Sequence, residues 1–166
     1  AYRAIIKDLK HPAALVLSRQ NCPTFDRTKL GPAADTARGA YVLSEAPNGK
    51  PDVLIMATGS EVAIAMSAQE LLTKEGIQAR VVSMPCFEWF DEQDQAYRSS
   101  VLPQSIKARV AVEAGLRQCW EKYLGPDGRF VGMSSYGASG PYSALYKHFG
   151  ITPEHVAQEA KQALGK

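Results

Sequence analysis

Short apolar runs and amphipathic stretches alternate along most of this chain. Val53–Ala57, Ala79–Ser83, Arg109–Val112 and Phe130–Met133 have the length and residue types of buried strands. Between and after them, Glu61–Glu75, a polar stretch around Glu92–Ser100, Gln118–Leu124 and Pro141–Phe149 read as helices. Gly125-Pro126-Asp127-Gly128 closes the third of these. Strands separated by helical patterns imply βαβ units and a parallel sheet covered on both faces. Ala40–Ala46 reads as one more strand, and Asn48-Gly49 between it and Val53 is a hairpin signal, which predicts an antiparallel edge strand beside Val53–Ala57. Thr152 is placed to cap a last helix, with Pro153 at its first position and Glu154 in its first turn. The expected architecture is α/β: a three-layer αβα arrangement with a mixed, mostly parallel sheet of about five strands and one antiparallel edge strand.

The beginning of the chain has a different pattern. Tyr2, Ile5, Ile6 and Leu9 fall at helical spacing and predict an apolar stripe facing a core. Ala13–Leu17 follows as a strand-like run that stops abruptly at Ser18-Arg19-Gln20-Asn21. From Cys22 to Arg38 there is no sustained periodicity, and the prolines at 23 and 32 suit an irregular surface connection. The expectation is the tail of one domain, a linker and then a complete second domain, with Ala1 to about Arg38 partly mobile unless docked on a neighbour.

Composition narrows the function classes. A chain of 166 residues, 45% hydrophobic and 22% charged, has the make-up of a globular domain, and a net charge of +2 is too small for a nucleic-acid footprint. No apolar run approaches the length of a membrane span, and a cytoplasmic location is expected. Cys22, Cys86 and Cys119 match no zinc or redox spacing and are expected as small buried or half-buried residues. His11, His148 and His155 are scattered and expected at the surface.

Three strand ends carry small or polar residues: Ala57-Thr58-Gly59-Ser60-Glu61, Val112-Glu113-Ala114-Gly115 and Ser134-Ser135-Tyr136-Gly137-Ala138-Ser139-Gly140. Such turns can present N–H groups to an anion, and they equally serve as tight strand-to-helix connections. None has the spacing of a dinucleotide fingerprint or a P-loop. Glu113, without a histidine or nucleophile beside it, reads as a helix cap or an interface ion pair, and Phe87, Trp89 and Phe90 as packing. Arg19 is the sharpest candidate. In an open α/β sheet ligands bind beyond the carboxyl ends of strands, and a guanidinium there is either an anion clamp or a surface ion pair.

These segments together resemble the C-terminal part of bacterial transketolases: Leu17-Ser18-Arg19-Gln20-Asn21, Ala37-Arg38-Gly39-Ala40-Tyr41-Val42-Leu43, Ala57-Thr58-Gly59-Ser60-Glu61-Val62, Ala79-Arg80-Val81-Val82-Ser83-Met84-Pro85, Arg109-Val110-Ala111-Val112-Glu113-Ala114-Gly115, Tyr136-Gly137-Ala138-Ser139-Gly140 and Tyr146-Lys147-His148-Phe149-Gly150-Ile151-Thr152. The resemblance implies a homodimeric enzyme that moves a two-carbon ketol unit between sugar phosphates. Its cofactor, thiamine diphosphate with a divalent metal (Mg or Ca), is held by two earlier domains. It also implies that residues 1–22 end the pyrimidine-binding domain, 23–38 link, and 39–166 form the C-terminal domain. The arginine of the Ser-Arg-Gln-Asn motif binds the substrate phosphate in the family, which assigns that role to Arg19. The family's Gly-Asp-Gly segment, its histidines around the reactive carbon and its cofactor-activating glutamate have no counterpart here, so this stretch alone is expected to bind no cofactor and to be inactive. Cys22 stands where relatives often carry Leu. The alternative is an assembly or regulatory module of another thiamine-dependent enzyme, a deoxyxylulose-phosphate synthase or a 2-oxo acid dehydrogenase component.

Overall fold

A computed structural model of the chain describes residues 1–8 and 12–166. Its sheet has five strands: β1 (Tyr41–Ser44), β2 (Val53–Ala57), β3 (Ala79–Ser83), β4 (Arg109–Val112) and β5 (Arg129–Val131). They lie in the order β1-β3-β2-β4-β5, with β1 antiparallel to β3 and every other pairing parallel. All five residues of β2 and of β3 are buried, as befits central strands covered on both faces.

Side chains alternate between the two faces. Val53, Ile55, Ala57, Val81, Val110, Val112 and Val131 enter one core with helix α2 (Glu61–Lys74) and helix α7 (Pro153–Ala163). Leu54, Met56, Val82 and Ala111 enter the other, beneath α3 (Phe87–Asp91), α4 (Gln95–Val101) and α5 (Glu121–Leu124). Trp120, fully buried at the end of the 3-10 turn Arg117–Trp120, is the largest side chain of this second core, and Phe87 meets it edge-on at 4.9 Å between centroids. The three-layer αβα arrangement, mixed sheet and antiparallel edge strand are those expected.

Position of the edge strand is the first correction. β1 pairs with β3, not with β2. Pro47 fixes the turn one residue early: Ala46 C=O accepts from Gly49 N–H at 2.8 Å, which centres it on Pro47-Asn48 rather than Asn48-Gly49. The slot beside β2 is filled by β3, and Asp52 N–H donates to Gln78 C=O at 2.7 Å where those two strands begin. Arg80 ties β1 to the far layer, donating to both Glu45 carboxylate oxygens (2.9 and 2.7 Å) and to the Ser100 and Val101 carbonyls (2.8 and 3.1 Å).

The amino-terminal region is the second correction. Helix α1 (Tyr2–Asp8) forms, but Tyr2 and Ile6 are 66% and 80% exposed, so its stripe faces no core among the described residues. Leu9, the fourth stripe residue, and His11 lie outside the described residues. Ala13–Leu17 is not a strand, since none of the five strands pairs with it and unpaired backbone has no ladder to join. The connection that follows is more anchored than its sequence suggests: Phe25 and Leu30 pack on the first core, Gly31 N–H donates to Leu43 C=O at 2.8 Å, and Ala33–Arg38 forms a 3-10 turn. Gly39 then takes a left-handed φ of 82°. A β-carbon there would come within 2.2 Å of Phe90 N and 2.4 Å of Cys86 O, so only glycine fits where the chain enters the sheet.

Candidate functional site

The parallel strands end on one side of the sheet, and the three glycine-containing turns lie there, after β2, β4 and β5. The turns after β4 and β5 are closed on themselves. Glu113 N–H donates to Val131 C=O at 3.1 Å, and Met133 N–H to Gly115 C=O at 2.9 Å. Among the described residues the Glu113 carboxylate caps no helix and pairs with no cation: it accepts the Trp120 indole N–H at 2.6 Å, because the end of β4 faces the turn that delivers Trp120. Residues 134–140 are all exposed, Tyr136 to 98%.

At the turn after β2, Gly59 has a left-handed φ of 57°, which reverses the chain into α2. Ser60 makes no side-chain cap bond to its helix. Its hydroxyl instead donates to Glu61 Oε1 at 3.0 Å. Glu61 is only 5% exposed, and a carboxylate so placed requires donors. The second comes from Tyr146 of helix α6 (Tyr142–His148), whose phenol donates to the same Oε1. Burial, and then the bond to Glu61, push the Tyr146 phenol up to about 12. With hydroxyl and carboxylate thus engaged, an anion arriving at Gly59-Ser60 would meet a negative charge, so this turn serves as connection rather than anion cradle.

Around this cluster the Ser-Arg-Gln-Asn segment comes to rest. Gln20 Nε2 donates to the Tyr146 hydroxyl at 3.2 Å, and Ser18 Oγ lies 3.8 Å from where a β-carbon on Gly59 would stand. Arg19, between them, is exposed, and among the described residues no acidic side chain pairs with it. Gln20, Glu61 and Tyr146 all sat in segments singled out by sequence, but no role for them could be read there because 85 residues separate the phenol from its carboxylate.

Other expectations meet mixed outcomes. Phe90 is buried in the second core and Phe87, at the start of α3, packs against it, as expected of packing residues. Cys86 is half-buried, whereas Cys22 and Cys119 are exposed, one in the irregular connection and the other on the outer side of the turn whose next residue, Trp120, is buried. His148 is exposed and His155 half-buried on α7. Two shallow surface depressions, one bordered by Glu45, Gln69 and Thr73 and the other by Lys107, Arg109 and Asp127, lie at the opposite ends of the strands and include none of these residues. No helix among the described residues is long and apolar enough to cross a membrane.

Residues 39–152 match the family model described as the transketolase-like TK C-terminal domain. The chain belongs to this family. Transketolase 1 of Escherichia coli is 50% identical over 153 residues, covering 92% of this chain and 23% of that protein. Transketolase 2 of Pasteurella multocida is 48% identical over 166 residues, covering 99% and 25%. The chain thus spans about a quarter of the length of the curated transketolases it matches. Among solved structures, a transketolase from Leishmania mexicana superposes with a TM-score of 0.73 at 42% identity, covering 80% of this chain and 19% of that one. Transketolase structures from Pichia stipitis reach 0.78 at 35% identity, covering 89% and 20%.

Proposed function

We propose that this chain is the C-terminal portion of a transketolase, an enzyme that transfers a two-carbon ketol unit between sugar phosphates in the pentose phosphate pathway, and that Arg19 holds the substrate phosphate. Residues 1–22 are then the tail of the pyrimidine-binding domain, 23–38 a linker and 39–166 the C-terminal domain. The observation that carries this reading is the position of Arg19: exposed and unpaired among the described residues, between two neighbours that meet the domain at the carboxyl ends of its strands. The Pichia stipitis relatives, solved as complexes with sedoheptulose-7-phosphate and xylulose-5-phosphate, support the substrate class.

A guanidinium suits the task, since its planar fork donates two charge-assisted hydrogen bonds to one phosphate, together worth roughly 2 to 4 kcal/mol. Thiamine diphosphate with a divalent metal supplies the carbanion chemistry of such enzymes. The residues here do not fit that group: a metal bound with a diphosphate needs one or two free carboxylates, and at these strand ends Glu113 is committed to an indole and Glu61 to two hydroxyls. This chain's own share is binding. The whole enzyme is read as a cytoplasmic homodimer, and the chain alone as inactive. A split-gene transketolase solved as an inactive beta4 tetramer, 27% identical over 76% of this chain with a TM-score of 0.59, supports that reading.

The test is ketol transfer from xylulose 5-phosphate to ribose 5-phosphate by the 166-residue chain, with thiamine diphosphate and magnesium in excess. The expected result is no turnover above background. Turnover would place the cofactor on these residues and overturn the reading that the chain alone is inactive.

A further inference from the structure

We propose that Gln20, Tyr146 and Glu61 form a positioning latch that sets where Arg19 meets the phosphate; the inference rests on the reading of Arg19 as the phosphate clamp. Counting protons gives the latch its direction. Tyr146 has one hydroxyl proton and donates it to Glu61 Oε1. Its oxygen can then only accept, and it accepts the Gln20 amide N–H at 3.2 Å. Ser60 gives its one hydroxyl proton to Glu61 Oε1 at 3.0 Å and so braces the carboxylate end of the bond. The order is therefore Gln20 to Tyr146 to Glu61, with the carboxylate as terminal acceptor.

What makes this a latch is that it ties the segment carrying the clamp to the α/β domain. Among the described residues, the Gln20–Tyr146 bond is the only hydrogen bond joining residues 12–21 to the α/β domain. Arg19 is bonded to Gln20 through the backbone, and adjacent Cα atoms are about 3.8 Å apart, so a shift of Gln20 carries Arg19 with it. A bidentate guanidinium–phosphate contact is sensitive to displacements of about 1 Å. The fold thus delivers an acceptor from α6, backed by a buried carboxylate at the start of α2, to the residue next to the clamp.

The experiment compares Arg19→Ala, Tyr146→Phe and Gln20→Met in the full-length enzyme carrying this sequence. KM is measured for a sugar-phosphate acceptor and for an unphosphorylated short aldehyde. Tyr146→Phe and Gln20→Met are each expected to raise the sugar-phosphate KM about threefold to tenfold, the worth of one hydrogen bond, with kcat within about twofold and the aldehyde KM unchanged. Gln20 lies outside both cores, so Gln20→Met reports even where Tyr146→Phe perturbs folding. If Arg19→Ala raises the sugar-phosphate KM while the two latch variants leave it alone, the latch is wrong and the clamp stands. If both acceptors suffer equally in the latch variants, their role is general support and the inference fails. If Arg19→Ala itself has no effect, the clamp reading falls and the latch with it.

Discussion

Two apolar runs of the same length, Ala13–Leu17 and Val53–Ala57, end in polar segments that meet at one place, yet only one is a strand. Every residue of the second is buried between two paired neighbours, while Val16 and Leu17 of the first are 90% and 68% exposed. An apolar run is necessary for a buried strand but does not make one: the strand also needs backbone partners on its flanks and helices over its faces. What the two runs share is their destination. The turn after Val53–Ala57 carries Ser60 and Glu61, and the segment after Ala13–Leu17 reaches them through Gln20 and Tyr146.

The sharpest test of the contrast is one substitution made in each run. Leu54→Ala removes a fully buried side chain and is expected to lower stability by about 2 to 5 kcal/mol, whereas Leu17→Ala in the same chain should change it by less than about 0.5 kcal/mol. Urea denaturation of the isolated chain measures both, and equal losses would mean that the first run is packed in solution. Next in size is the functional side of the contrast. Arg19→Ala in the full-length enzyme should reduce kcat/KM for sugar phosphates by roughly 30- to 150-fold, or about 2 to 3 kcal/mol; unchanged kinetics would remove Arg19 from the site.

The smallest effect lies where the two regions touch. Since the folded state holds the Tyr146 proton more tightly than the usual phenol value of 10.0, the contribution of its network is complete below about pH 10 and is lost as pH rises through about 12. A tyrosinate difference titration of the chain against Tyr146→Phe should therefore show one phenol ionising late. A difference curve with its midpoint at the usual phenol value of 10.0 would mean that the contact to Glu61 is not kept in solution.

How much could be read in advance followed the same divide. β2, β3 and β4 coincide residue for residue with their apolar runs, because a strand buried on both faces leaves an uninterrupted signal. The helix expected around Glu92–Ser100 is α4, which Asp94 caps by accepting Tyr97 N–H at 2.7 Å, whereas α3, with Phe87, Trp89 and Phe90, is a separate helix just before it that the polar pattern did not announce. The edge strand was visible but its neighbour was not, since nothing local records which strand fills a slot. For the site, the residue types at the turn and in the Ser-Arg-Gln-Asn segment were legible. Their meeting at Tyr146 was not, because it depends on α6 packing against a turn far away in sequence.

At the far end of the sheet, β5 has only three residues, and its Arg129 is held at 3.1 Å by Glu159 of α7. A bare sheet edge invites another chain to add itself as a further strand, which is how many folded proteins begin to aggregate. Here the available ladder is too short to hold a newcomer and is flanked by a charged pair that such pairing would have to desolvate. The opposite edge is guarded by the Gly31–Leu43 contact across β1. A sheet blunted at both margins cannot propagate through its backbone, so concentrated solutions of this domain should resist fibril formation even with the apolar run at Ala13–Leu17 uncovered.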